Sequence, residues 1–298
     1  MIPEGVDIAV GSAIIELLEP VWRGGRLPYE WNPCRIAMRN RGEGYRLSRF
    51  GGFLVLSYPA PEDAGFATLL WGEGESEDLR AAMAGRLLVR VGSRTADHVL
   101  TTAYGTELAA FPARNFDEYL YDLDAQVGLS GSRFARRRTY LRALERSATT
   151  VEFVDLDLSS TADLAEVGRL YSRWMTGRDA TASIVDERAA LATLLEGDIP
   201  HRAIGLAGLR VDGELAGFAA YDVLAPDVAT AHFIKSRSGG AETAATWQSF
   251  FASARRRGAT TANGGYDGGV GGLREAKLGL RPSSMSEMFF LIAENAGA

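Results

Sequence analysis

Of the 32 basic residues in this chain of 298, 30 are arginine and only two, Lys235 and Lys277, are lysine. Lys277 lies in the stretch Asn263–Pro282, Asn-Gly-Gly-Tyr-Asp-Gly-Gly-Val-Gly-Gly-Leu-Arg-Glu-Ala-Lys-Leu-Gly-Leu-Arg-Pro, where six of the first ten residues are glycine. A lysine kept in an arginine background points to a site that needs a compact ammonium with rotatable donors rather than a planar fork. Glycines let backbone approach a ligand closely. Asp267 and Arg274 add a carboxylate and a further cation to the same stretch. Such a set suits direct group transfer, where catalysis is positioning plus electrostatic stabilisation.

Other chemistries lack their residues. The three histidines, His98, His201 and His232, fall in no HExxH pattern, and there is no paired-cysteine or calcium-loop motif, so no metal is expected. No GxSxG elbow is present, and the single cysteine, Cys34, has no flanking histidine to activate it. There is no Walker A, and the glycine run around Tyr266 does not fit GxGxxG with a later ribose-binding acid. One cysteine rules out an internal disulfide and fits a reducing compartment.

A net charge of −6 argues against bulk nucleic-acid coating but permits a local basic patch facing one anionic partner. The candidate patch follows the acidic passage at 117–124. Ser132 is placed to cap a helix over Arg133–Ser147, with Phe134, Leu141 and Leu144 as its apolar stripe and Arg138 and Arg142 four apart on another face. Such a run is either a solvated face or a phosphate-binding helix. The N-terminus has no basic region followed by an apolar one. The longest apolar runs, Phe53–Leu56 and Phe289–Ala293, are too short to span a bilayer. A soluble, cytoplasmic protein is expected.

The elements that must position these residues read as follows. A short helix at 14–18 stops at Glu19-Pro20. Strands at 52–58, 66–71 and 87–91, with a helix at 75–85 before the last, form an α+β first half that closes at 109–112. The second half runs from a strand at 151–154 through helices at 163–175 and 186–195. Strands at 203–211 and 215–223 follow, joined by an Asp212-Gly213 hairpin turn, and a Pro226-Asp227 turn leads to a strand at 229–236. A helix at 242–257, a strand at 259–263, the glycine stretch and a final strand at 285–292 complete it. This is the order of an acetyltransferase-like (GNAT) domain, and the first half reads as a degenerate copy. The fold class is therefore α+β (α/β), two tandem GNAT-like domains with mixed sheets flanked by helices, over 1–125 and 126–298. In that fold the acyl donor lies between splayed fourth and fifth strands. His232 and Lys235 fall on the fourth and Asn263 ends the fifth, so the polar residues converge on one donor cleft.

Three segments resemble the soluble catalytic domain of the phosphatidylglycerol lysyltransferase family (DUF2156). Asp117-Glu-Tyr-Leu-Tyr121 through Leu129-Ser-Gly131 to Arg137-Arg138 is similar to its D-Y-x-Y…L-S-G-K-x-x-x-K-R-N segment. His232-Phe-Ile-Lys235 is similar to its H-F-x-K strand. Asn263-x-x-x-Asp267-x-Gly269-Val-x-Gly272-Leu-Arg274-x-Ala-Lys277-x-x-x-Arg-Pro282 is similar to its N-R-E-x-D-x-G-I-x-G-L-R-x-A-K-x-x-x-x-P segment. Lys277-Leu-Gly-Leu is also similar to the K-x-G-F-G of Fem-type aminoacyltransferases. The chain departs from the pattern at Gly264-Gly265, in place of Arg-Glu, and at Thr139 and Ala135, and no membrane-spanning portion is expected.

The resemblance implies aminoacyl transfer from aminoacyl-tRNA, with no cofactor beyond that cosubstrate and no metal. Lys277 is expected to stabilise the oxyanion or anchor the terminal phosphate, and Asp267 to hold the donor ammonium or take a proton. Arg137, Arg138, Arg142, Arg274 and Lys235 are expected to bind the donor, and His232, Asn263, Tyr266, Gly269 and Gly272 to line the cleft. The departures suggest a soluble amine acceptor, such as a peptide-antibiotic or other secondary-metabolite precursor. An acyl-CoA-dependent N-acyltransferase and a lipid aminoacyltransferase are the alternatives.

Overall fold

The computed structural model describes residues 8–9, 14–24, 28–39, 45–59, 66–84, 89–102, 108–176, 182–197, 199, 204–225 and 227–293. His201, the start of the strand expected at 87 and Pro226 lie outside them. The chain forms two units. One is Met1–Glu118 with Tyr266–Val270 and Met285–Ala298; the other is Tyr119–Gly265 with Gly271–Ser284. The chain thus passes between the units several times, where the sequence reading placed one boundary at 125/126.

The first unit carries β1 (Ile8–Ala9), α1 (Ile14–Gly24), α2 (Pro33–Arg39), β2 (Arg46–Phe50), β3 (Phe53–Pro59), β4 (Phe66–Gly72), α3 (Ser76–Met83), β5 (Val89–Gly92), α4 (Ser93–Thr101) and β6 (Leu108–Pro112). Phe53, Val55, Leu70, Leu79, Val91, Val99 and Leu291 form its core. Helix α1 does not stop at Pro20. Ile14, Ile15, Leu18 and Trp22 are all buried at helical spacing, and burying that continuous stripe outweighs the roughly 3 kcal/mol that an interior proline costs.

The second unit carries β7 (Glu118–Asp122), α5 (Leu123–Gly128), α6 (Ala135–Ser147), β8 (Val151–Asp155), α7 (Thr161–Met175), α8 (Ala182–Leu195), β9 (Ile204–Val211), β10 (Glu214–Ala225), β11 (Val228–Ser236), α9 (Ala241–Arg256), β12 (Thr261–Asn263), α10 (Gly271–Gly279) and β13 (Ser284–Ser286). Its sheet runs β13-β7-β12-β11-β10-β9-β8. Asp212 and Gly213 take positive φ values of 53° and 80°, the turn geometry that the Asp-Gly pair predicts. Strands β8 to β11 are antiparallel neighbours, and β11 pairs with β12 in parallel. The expected mixed sheets flanked by helices are present. Helix α9 lies close on β10: a Cβ at Gly217 would sit 2.0 Å from Thr246 Oγ1.

Two strands are exchanged relative to the expectation. The final strand is not one element of the second sheet. Its first part is β13, and β14 (Met288–Ala293) inserts between β5 and β6 of the first sheet, whose order is β1-β2-β3-β4-β5-β14-β6. In return the acidic passage supplies β7, antiparallel to β12 through Ala262↔Tyr121. Its tyrosines, Tyr119 and Tyr121, are fully buried, while Asp122 and Asp124 are exposed. Alternation, not acidity, was the strand signal there. Among the described residues no helix is long and apolar enough to cross a membrane.

Candidate functional site

The glycine stretch begins where β12 ends. Asn263 Oδ1 accepts the Gly265 amide at 2.8 Å, and the Gly264 amide donates to Tyr119 O at 2.9 Å. Lys277, on α10, is buried. Its Nζ donates to Gly264 O at 2.6 Å and lies 5.5 Å from the Tyr119 ring centroid, and Tyr121 Oη donates to the Lys277 carbonyl at 3.1 Å. A Cβ on Gly264 would come 2.8 Å from Tyr121 Cε2 and 3.4 Å from Trp247. Glycine at 264 therefore has a packing cause.

Asp267, Tyr266 and Gly269 belong to the first unit. The buried Asp267 accepts the Gly269 amide at 2.9 Å, and its other oxygen is 3.5 Å from Arg114 Nη1. Gly269 takes φ 81°, and a Cβ there would meet Asn115 at 3.0 Å. Tyr266 Oη accepts from Arg35 at 2.9 Å, in a buried cluster that the sequence reading missed. Arg35 also donates to both Glu30 oxygens at 3.1 and 3.2 Å. Burial pushes the Glu30 carboxyl up, but the charges of Arg35 and Arg90 outweigh it and hold the group at about 2. The ionised form therefore stabilises the fold above the ordinary value of 4.5, and that contribution is lost as pH falls from there toward 2. Urea midpoints for Glu30→Gln are expected to lie below wild type at pH 6 and to converge with it near pH 2.

The remaining expected residues lie on the second unit. On β11, Lys235 pairs with Glu187 at 2.9 Å and lies 3.9 Å from the Trp174 ring centroid, and His232 Nε2 is 2.5 Å from Asp222 Oδ2. Both are built into side-chain clusters. Arg142 is exposed on α6 and Arg274 half-buried on α10. Arg138 donates to the carbonyls of Leu129 and Gly131 at 2.5 and 2.7 Å. Ser132 is not a helix cap. It starts a 3-10 turn, Ser132–Phe134, entered through Gly131 at φ 82°.

Arg137 differs from these. It falls in the stripe Phe134, Arg137, Leu141, Leu144, where an apolar residue belongs, and it is 5 % exposed. Its guanidinium donates to the side-chain oxygens of Gln126 and, at 2.6 Å, Gln248. Both amides are fixed that way round, because Gln126 Nε2 donates to Leu280 O at 2.8 Å and Gln248 Nε2 to Val127 O at 3.3 Å. Among the described residues no carboxylate pairs with Arg137, and its Nε has no partner. Burial pulls its pKa down to about 9. It remains charged at neutral pH, and a buried charge without a counter-charge is costly.

Arg137 lines a cavity of about 440 Å³. Helix α6 and its approach contribute Arg133, Arg136 and Tyr140; α9 contributes Thr243 and Trp247; α10 contributes Gly272 and Glu275; and Arg281 follows. Of the expected site residues, the cavity joins Arg137 and Gly272. Arg133, Arg136, Tyr140, Trp247 and Arg281 were not anticipated. The available signal was Arg137 itself, a charge at an apolar position of an amphipathic helix. Among the described residues no cluster of three or more His, Cys, Asp or Glu is placed to hold a metal.

The sequence pattern of the family described as phosphatidylglycerol lysyltransferase, C-terminal, matches residues 77–292. The chain belongs to that family. No curated protein matches it in sequence. Among solved structures, a conserved protein of unknown function from Bacteroides thetaiotaomicron is 18 % identical, with a TM-score of 0.81 over 99 % of this chain and 100 % of that one. A C-terminal DUF2156 domain from Agrobacterium fabrum, assigned to a lysylphosphatidylglycerol synthetase, is 15 % identical, with a TM-score of 0.65 over 96 % and 92 %. L-PGS from Bacillus licheniformis is 15 % identical, with a TM-score of 0.64 over 95 % and 92 %. At these identities the likeness is one of fold. Family membership makes the aminoacyltransferases the reference for this chain.

Proposed function

We propose that this protein transfers an aminoacyl group from aminoacyl-tRNA to a hydroxyl or amine acceptor. The observation that carries the reading is Arg137, a buried cation on an arginine-lined cavity with no carboxylate paired to it among the described residues. That arrangement calls for an anionic donor. The acceptor's nucleophile attacks the ester carbonyl, the bond to the terminal ribose oxygen breaks, and the proton lost by the nucleophile ends on that oxygen. Lys277 holds the turn after β12 in place through Gly264 O. Ester aminolysis or exchange on an activated donor requires neither ATP nor metal.

A coenzyme A donor fits less well. In the GNAT arrangement its pyrophosphate takes backbone N–H groups before the helix that follows the fourth strand. Here the Glu242 carboxylate takes that place, accepting the Ser238 amide at 2.8 Å and pairing with Arg237 at 2.6 Å. For the acceptor, family membership favours a lipid hydroxyl such as that of phosphatidylglycerol. A soluble amine is the second reading. It rests on Gly264-Gly265 in place of Arg-Glu, and the Tyr121 and Trp247 contacts offer a packing reason for Gly264.

The deciding assay supplies tRNA charged with radiolabelled amino acids and phosphatidylglycerol vesicles or a panel of soluble amines, with ribonuclease added in one parallel arm and radiolabelled acetyl-CoA as the donor in another. Label entering lipid or amine, and abolished by ribonuclease, is expected. Transfer that survives ribonuclease and follows acetyl-CoA would overturn the donor reading, and label appearing in the amines alone would overturn the lipid acceptor.

A further inference from the structure

We infer that the cavity between α6, α9 and α10 is a mononucleotide subsite. Resting on the aminoacyl-tRNA reading, its occupant is the 3′-terminal adenosine of the donor with its 5′-phosphate on Arg137. The cavity's size, about 440 Å³, falls within the range of roughly 300–1,000 Å³ usual for small-ligand sites. Its charged lining is four arginines, Arg133, Arg136, Arg137 and Arg281, against one carboxylate, Glu275. This excess suits a phosphate rather than a neutral headgroup.

The site is built rather than incidental. Gln126 ties Arg137 to the wall of the cavity, accepting from its guanidinium while donating to the carbonyls of Leu280 and Arg281 at 2.8 and 3.2 Å. Arg281 is held at φ 64°, a left-handed conformation that costs a non-glycine residue energy and is found at ligand sites. Two aromatic side chains, Tyr140 and Trp247, line the same space. Trp247 packs on Tyr121, Phe250 and Phe251, and Tyr140 Oη accepts from Arg136 at 2.9 and 3.1 Å. The base contact therefore falls to the arginine-braced Tyr140 ring, which an acyl-glycerol headgroup would not need.

The test uses the chain of 298 residues and measures binding of 5′-AMP, adenosine, inorganic phosphate and glycerol 1-phosphate by calorimetry. AMP is expected to bind about tenfold or more tighter than phosphate or glycerol phosphate, and to weaken as salt rises. Gln248→Glu places a carboxylate against Arg137. It is expected to melt no lower than wild type and to weaken AMP binding by about tenfold or more. Arg281→Gly suits the left-handed backbone, so it stays folded while losing a cation, and a weaker loss of AMP affinity is expected. AMP binding no tighter than phosphate would reduce the site to an anion hole. Glycerol phosphate binding tighter than AMP would assign the site to a lipid headgroup. Unchanged AMP binding in both variants would place the nucleotide elsewhere. Each of these overturns the subsite. Ribonuclease-sensitive transfer that is unaffected by Gln248→Glu overturns the subsite alone. AMP binding in a protein that transfers nothing from charged tRNA overturns the donor reading alone.

Discussion

Arg137→Met is expected to lower kcat/KM for transfer from charged tRNA by about 10²–10³-fold, the loss typical of a well-placed electrostatic donor, while the protein stays folded. The two effects part because the side chain is buried as a charge with neutral partners only. Replacing an uncompensated buried ion by an apolar chain of similar length is neutral or stabilising by about 1–4 kcal/mol. Against this, Gln126 and Gln248 each lose a donor, at a cost of about 1–3 kcal/mol for a buried group left unsatisfied. The losses, together about 2–6 kcal/mol, slightly exceed the gain, so the variant is expected to melt at or a few degrees below wild type. A large drop in melting temperature alongside the lost activity would show that Arg137 serves the fold instead of the ligand.

Lys277→Ala is expected to behave in the opposite way, losing stability first. Its ammonium closes the turn after β12 through Gly264 O at 2.6 Å and is buried beside Tyr119. Truncation leaves a buried carbonyl unpaired and a cavity where the stem lay, together worth about 2–4 kcal/mol after relief of the buried charge. Lys277→Met restores the stem and is expected to recover about half of that. Arg in its place does not fit a site built for a compact ammonium. Urea unfolding monitored by tryptophan fluorescence measures all three variants. Wild-type stability with abolished transfer in Lys277→Ala would mean that the lysine acts on the reactants only, which is the role its sequence context suggests.

Much of the architecture was legible from local pattern. The second unit's strands, the Asp212-Gly213 hairpin and helix α9 follow from period-two and helical spacing, which depend only on neighbours along the chain. The motif around Asn263–Pro282 was legible too, and so was the family. Helix α1 outruns the stop that Pro20 predicts because Trp22, beyond it, is buried, a fact that local sequence does not carry. Strand β7 is masked in the sequence by its acidic flanks, although the alternation of Tyr119 and Tyr121 fixes its inward face.

By itself, then, the sequence determined which residues are available for chemistry: two lysines, no metal cluster motif, a glycine-rich stretch and an arginine helix. It also determined the order of elements, since turn chemistry and periodicity are local. Only the tertiary structure decided which sheet each strand joins, because β14 and β7 find partners far away in sequence. It alone separated arginines of identical type, too. Arg138 is consumed by backbone carbonyls, Arg142 is solvated, and Arg137 is buried at a cavity with no carboxylate paired to it among the described residues. Charge is a property of the residue, but whether that charge is spent internally or left for a ligand depends on what the fold packs against it.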